Sequence, residues 1–111
     1  MEMTKNKNTP TDLAGFQRKF LRARAHALQP VVWVGRDGVT PALLAEVDQA
    51  LEAHELIKIK FNDHKDEKEA LIALIAEQSN SVLAGVVGHV ALFYRPRHDP
   101  TKRILVLPQR S

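Results

Sequence analysis

One stretch constrains this chain more than any other: Pro30-Val31-Val32-Trp33-Val34-Gly35-Arg36-Asp37-Gly38-Val39-Thr40-Pro41. An apolar, β-branched run enters a tight Gly-x-x-Gly loop, and the loop feeds a helix whose first turn is marked by Thr40 and Pro41. Glycines at a strand-to-helix junction let backbone approach a ligand closely. The helix start adds unpaired N–H groups and a partial positive charge, which together favour an anion such as phosphate. On its own the loop is an ordinary turn. A basic helix just before it and basic residues at the end of the chain give it more weight.

Periodicity places elements on either side of this junction. Residues 1–10 are polar, lack periodicity and end in Pro10, which reads as a flexible lead-in. Thr11 or Asp12 is placed to cap a first helix running to about Leu28. On that helix Leu13, Phe16, Phe20, Ala23 and Ala27 share an arc of about 80°, and Arg18, Lys19, Arg22 and His26 a separate arc of about 100°. Pro30 ends the helix. Val31–Val34 is apolar throughout, which predicts a strand buried on both faces, central in its sheet, with Trp33 in the core. Pro41 opens a second helix to about His54, with Leu44, Val47 and Leu51 inward and Glu46, Asp48, Glu52 and Glu55 outward.

Leu56–Phe61 alternates apolar and basic residues, the signature of a half-buried strand. A third helix opens at Asp66 or Glu67 and runs to about Gln78. Val82–Val87, the turn Gly88-His89 and Val90–Arg95 form a hairpin closed by Pro96. Residues 97–103 read as a charged connector, and Ile104–Leu107 as a short edge strand. The α-β-α-β-α-β-β order predicts one α/β domain with a mixed sheet and packed helices, over residues 11–107 with a tail at 108–111.

Composition narrows the function classes. The chain has no cysteine, so disulfides and thiolate metal sites are excluded. His26, His54, His64, His89 and His98 are scattered without metal-ligand spacing, and the loop lacks the Gly-Lys-Ser/Thr of a Walker motif. The expectation is therefore no catalysis, no metal and no cofactor. No apolar run reaches the roughly 18–20 residues of a membrane span, and the N-terminus has no signal-peptide core. A monomeric protein of the cytoplasm, away from membranes and small-molecule substrates, is expected.

The net charge of +3 is unevenly distributed. Residues 1–29 carry six Lys/Arg against Glu2 and Asp12, residues 46–69 carry eight Asp/Glu against four lysines, and residues 95–111 carry five Lys/Arg against Asp99. A chain basic at both ends and acidic in the middle suits an orienting contact with a polyanion.

Three blocks then resemble a known family. Leu21-Arg22-Ala23-Arg24-Ala25-His26-Ala27-Leu28-Gln29-Pro30 with its Gly35–Gly38 loop, His54-Glu55-Leu56-Ile57-Lys58-Ile59-Lys60, and Gly88-His89-Val90-Ala91-Leu92-Phe93-Tyr94-Arg95-Pro96 resemble the CRM domain, in the expected order. CRM stands for chloroplast RNA splicing and ribosome maturation. The length is similar to the stand-alone bacterial, YhbY-like type. The resemblance implies a fold similar to the C-terminal domain of translation initiation factor three. It further implies RNA binding without catalysis, and association with precursors of the large ribosomal subunit through ribosomal RNA. The variable pair of the loop, often basic in the family, is here Arg36-Asp37; Asp37 has either a capping role or a place in the turn.

The resulting candidate RNA-contacting residues are Arg18, Lys19, Arg22, Gly35, Arg36, Asp37, Gly38 and Arg95. His26, Lys58 and Lys60 have either a contact role or an ordinary surface or packing role, and Tyr94 either stacks on a base or is buried. Arg97, Lys102 and Arg103 suggest a flexible basic tail. A rival reading is a protein-interaction module that docks a basic ribosomal protein on the acidic flank of the second and third helices.

Overall fold

The computed structural model describes residues 13–109. The expected lead-in at 1–10, the caps Thr11 and Asp12, and the last two residues of the tail lie outside them. The elements run α1 (Gly15–Ala25), β1 (Pro30–Val34), α2 (Pro41–His54), β2 (Leu56–Phe61), α3 (Lys68–Ser79), β3 (Val82–Val87) and β4 (Val90–Tyr94). Short 3-10 turns lie at Lys65–Glu67 and Pro100–Lys102. The four strands form one mixed sheet in the order β1-β2-β4-β3, with β1 parallel to β2 and the other pairs antiparallel.

Two apolar layers sandwich this sheet. Alternation in β2 sends Ile57, Ile59 and Phe61 to one face, where they meet Val47 and Leu51 of α2 and Ile72 and Ile75 of α3. Leu56 and, from β4, Leu92 and Tyr94 point to the other face, beneath Leu21 and Ala25 of α1 and Leu105 of the C-terminal segment.

Four sequence expectations are corrected here. First, β1 is an edge strand. Val32 and Val34 are buried, but Val31 and Trp33 are 41% and 50% exposed. The cause is that α1 lies over β2 and β3 and leaves its side of β1 uncovered. Second, α1 is shorter than expected, beginning after Ala14, whose N–H is met by Gln17 Oε1 at 3.1 Å. Third, of the expected arc Leu13 is buried and Phe20 packs against the same core, but Ala23 and Ala27 are exposed, and α1 buries Leu21 and Ala25 instead. Gly85 permits this rotation, because a Cβ there would lie 2.9 Å from Arg22 Cδ. Fourth, Ile104–Leu107 is not a strand; it is held as a coil over the α1 face, with Leu105 buried.

The Gly85 contact gives a prediction. Gly85→Val forces α1 off β3 and is expected to cost about 1–3 kcal/mol, as overpacking does. Denaturant unfolding checks it, with Ala84→Ser as a milder comparison in the same layer.

Candidate nucleic-acid interface

The Gly-x-x-Gly loop closes as a turn, with the Gly38 N–H donating to the Gly35 carbonyl at 3.0 Å. Gly38 has φ +70°, a conformation that side chains resist, which is why a glycine stands there. Arg36 and Asp37 occupy the exposed corner. Asp37 caps nothing; the cap of α2 is Thr40, whose Oγ1 accepts from the Leu43 N–H at 3.1 Å. The Leu44 N–H goes to the Thr40 carbonyl, and Pro41 has no N–H. Most of the amides that a helix start would offer to an anion are therefore already used.

A residue that sequence reasoning passed over holds this loop in place. His64, in the turn after β2, sets Nε2 2.7 Å from the Arg36 carbonyl and Nδ1 3.1 Å from Glu67 Oε1. Both partners are acceptors, so only the imidazolium donates at both ends. The Arg36 carbonyl first, and the Glu67 carboxylate second, raise the His64 pKa above its ordinary 6.5. No local sequence signal could have found this contact, because Arg36 and His64 are 28 residues apart.

A raised folded-state pKa gives a contribution fully present below about pH 6.5 and lost as pH rises through the raised value. Titration of the His64 ring protons by NMR is expected to report that raised pKa, and Glu67→Gln to lower it. Gly38 amide exchange is expected to speed up in His64→Ala; unchanged exchange would show that the staple does not order the loop.

Over β2 and β3, α1 presents its basic arc along the edge of its buried stripe. Lys19 and Arg22 are exposed; Arg18 is partly buried, and its guanidinium donates to the Leu13 carbonyl. Arg22 and His26 line a groove of about 430 Å³ together with Lys58, Val87, Val90 and Leu92. Lys58 is steadied there by donating to the Leu28 carbonyl at 2.9 Å. No acidic residue lines this groove. The β3–β4 turn adds Lys68, whose Nζ donates to the Gly88 carbonyl at 2.6 Å. Desolvation, then the charges of Lys68 and Lys65, hold His89 below the usual histidine range.

The structure thus places Arg22 over β3 and the Gly35–Gly38 loop after β1, on opposite edges of the sheet, and holds Arg95 apart from both. Arg95 is 9% exposed and its guanidinium is bound between α2 and the end of α3. Tyr94 is 2% exposed, and burial, with help from the Glu55 charge, pushes its phenol up to about 12. Arg97 and Arg103 do not form a loose tail: Arg97 donates to the Glu52, Ala53 and Lys102 carbonyls, and Arg103 to the Arg97 carbonyl. Gln17 reaches Pro108 in the same way.

Among the described residues no helix is long and apolar enough to cross a membrane, and no group of His, Asp and Glu could hold a metal ion.

Comparison with known proteins agrees with this geometry. The CRS1 / YhbY (CRM) domain profile matches residues 13–95. An RNA-binding protein of Haemophilus influenzae is 37% identical over 90 residues, covering 80% of this chain and 91% of that one. A Pseudomonas aeruginosa protein named as a probable RNA-binding protein is 38% identical over 89 residues, covering 79% and 86%. The solution structure of a candidate RNA-binding protein of Staphylococcus aureus superposes with a TM-score of 0.73 at 30% identity, covering 87% of this chain and all of that one.

Proposed function

The chain belongs to the CRS1 / YhbY (CRM) domain family, and from that premise we propose that it binds ribosomal RNA in precursors of the large subunit and assists their assembly in the cytoplasm as a monomer. RNA binding is the coarser part of this reading and is supported by relatives in several bacteria and an archaeon that carry that description. The observation that carries it in this chain is the acid-free groove lined by Arg22, His26 and Lys58. The relatives are named as binding proteins rather than enzymes, so the mechanism proposed is structural.

Charge and backbone shape do the work in this mechanism. Lys19, Arg22 and Arg36 supply cations for phosphates, with Arg18 steadying the first turn of α1 and the glycines allowing close approach. Specificity then comes from RNA shape and from neighbours in the particle more than from base reading. The rival reading, docking of a basic protein on the acidic flank, is weakened by the use of that flank inside the molecule: Asp48 and Glu52 bind Arg95, and Glu55 is fully buried.

A salt titration of binding to a ribosomal RNA fragment tests the reading. Lys19→Glu with Arg22→Glu is expected to weaken binding at least tenfold. It should also reduce the slope of log K against log salt by roughly 1.4, two phosphate contacts at about 0.7 each. Indifference to both substitutions would sink the RNA face. Crosslinking in cells with sequencing of the bound RNA tests the ribosomal assignment, and recovery of mainly messenger or transfer RNA would overturn it.

A further inference from the structure

The part of the sheet that α1 leaves open carries a row of side chains chemically different from a solvated basic surface. Trp33 is paired with Lys60, Lys60 with Val90, and Val90 with Val87, so the four stand side by side across all four strands. Their chain neighbours Val32, Val34, Ile59, Phe61 and Ala91 enter the opposite core, so this row points to the α1 face. Three inter-strand spacings make the row about 14 Å long. Trp33 is 50% exposed and Val87 67%. The row ends at Trp33, two residues before Gly35, and its other flank is the groove lined by Arg22, His26 and Lys58.

An aromatic ring, flanking aliphatic side chains and basic groups at the margin suit a particular ligand. A stacked duplex hides the faces of its bases and offers phosphates and 2′-hydroxyls, which an apolar floor cannot use. An unpaired nucleotide offers a flat π face together with a phosphate, and aromatic side chains stack on any base. An acidic peptide would satisfy the cations but leave the indole without a matching flat surface. We propose that this row is a platform for unpaired RNA nucleotides, with Trp33 stacking on a base and Lys60 and Arg22 holding the adjoining phosphates. The inference rests on the RNA-binding reading and adds that the bound element is locally single-stranded.

Trp33 is the only tryptophan in the chain, so its fluorescence reports on this row alone. The full chain is titrated with an end-labelled 12-nucleotide oligouridylate and, separately, with a blunt 16-base-pair RNA duplex, following intrinsic emission and label anisotropy together. The single strand is expected to quench Trp33. Trp33→Ala is expected to weaken the single strand by roughly 5- to 160-fold, the range of one stacked base, and to change duplex binding less than twofold. Trp33→Phe restores most of the loss. The position is exposed, so these variants keep the fold, which circular dichroism verifies.

Single-strand binding that leaves Trp33 emission unchanged and is indifferent to Trp33→Ala overturns the platform and leaves the RNA reading standing. Failure of the unsubstituted protein to bind either RNA removes both. A blue shift of Trp33 emission that follows protein concentration without RNA would show the row buried between two copies, and would also overturn the proposal.

Discussion

Replacement of Glu55 by alanine is expected to remove about 3–5 kcal/mol of folding stability, the range of changes that strand several buried hydrogen-bonding groups. Glu55 ends α2 and is completely buried. Its Oε2 accepts from the Arg97 N–H at 2.6 Å, and Oε1 from the Ile104 and Leu105 N–H groups at 2.8 and 2.9 Å. Its carbonyl accepts from the Arg95 N–H at 2.8 Å. One carboxylate thus pins the segment after β4 at three amides and seats Leu105 in the layer under α1.

The backbone of Glu55 lies at φ +64°, so alanine loses the carboxylate and keeps the strain. Glu55→Gly relieves that strain and is expected to be about 1 kcal/mol less damaging than alanine. Glu55→Gln keeps one acceptor oxygen but turns an amide NH₂ toward a donor, and falls between glycine and the unsubstituted chain. Urea unfolding reads all three, and trypsin reads the segment itself through faster cleavage after Arg97, Lys102 and Arg103. A loss below about 1 kcal/mol in Glu55→Ala would show that the segment docks without its anchor.

Much of this architecture is legible in the sequence, for physical reasons that can be stated residue by residue. Alternation in Leu56–Phe61 is written by the two cores that β2 separates, and Thr40-Pro41 marks a helix start whatever surrounds it. The Gly88-His89 turn dictates its hairpin, with Gly88 at φ +60°. What was not legible depends on contacts distant in sequence. An apolar run such as Val31–Val34 records affinity for a core but not whether a helix covers its second face, and so Trp33 reads as buried when it is not.

The face of α1 is only partly legible, because period counting weights Ala23 and Ala27 like larger residues, while the absence of a Cβ at Gly85 decides which side approaches the sheet. That rotation brings Arg22 to the groove edge rather than to the far side of the helix. Ile104–Leu107 has the composition of a strand, but its amides are taken by a carboxylate 49 and 50 residues earlier in the chain. The candidate interface was legible as a cluster of charges near a loop. Its shape, and the removal of Arg95 from it, were not.

Arg95 supplies the second large effect, and the sharpest separation of a structural cation from a ligand-binding one. Its Nη1 donates to Asp48 Oδ1 at 2.9 Å and to the Ser79 carbonyl at 2.7 Å, and its Nη2 to the Asp48 carbonyl at 3.2 Å and Glu52 Oε2 at 3.1 Å. The two carboxylates are mostly exposed, and ion pairs of that kind contribute little. The carbonyls matter more, because Ser79 ends α3 and its oxygen has no partner within the helix. A planar fork spans α2 and α3 where a single ammonium cannot.

Arg95→Met keeps the aliphatic bulk and loses the bridge, at an expected cost of about 2–3 kcal/mol, or roughly 10–20 °C in Tm for a domain of this size. Arg95→Lys is expected to recover less than half of it. RNA affinity measured at 10 °C, where every variant is folded, is expected to stay within twofold of the unsubstituted protein, in contrast to the loss from Lys19→Glu with Arg22→Glu. The opposite pattern, a tenfold fall in affinity with Tm unchanged, would mean that the guanidinium leaves Asp48 and Ser79 to reach a phosphate. Breaking four internal hydrogen bonds for one exposed phosphate contact runs against the energetics of a buried cation.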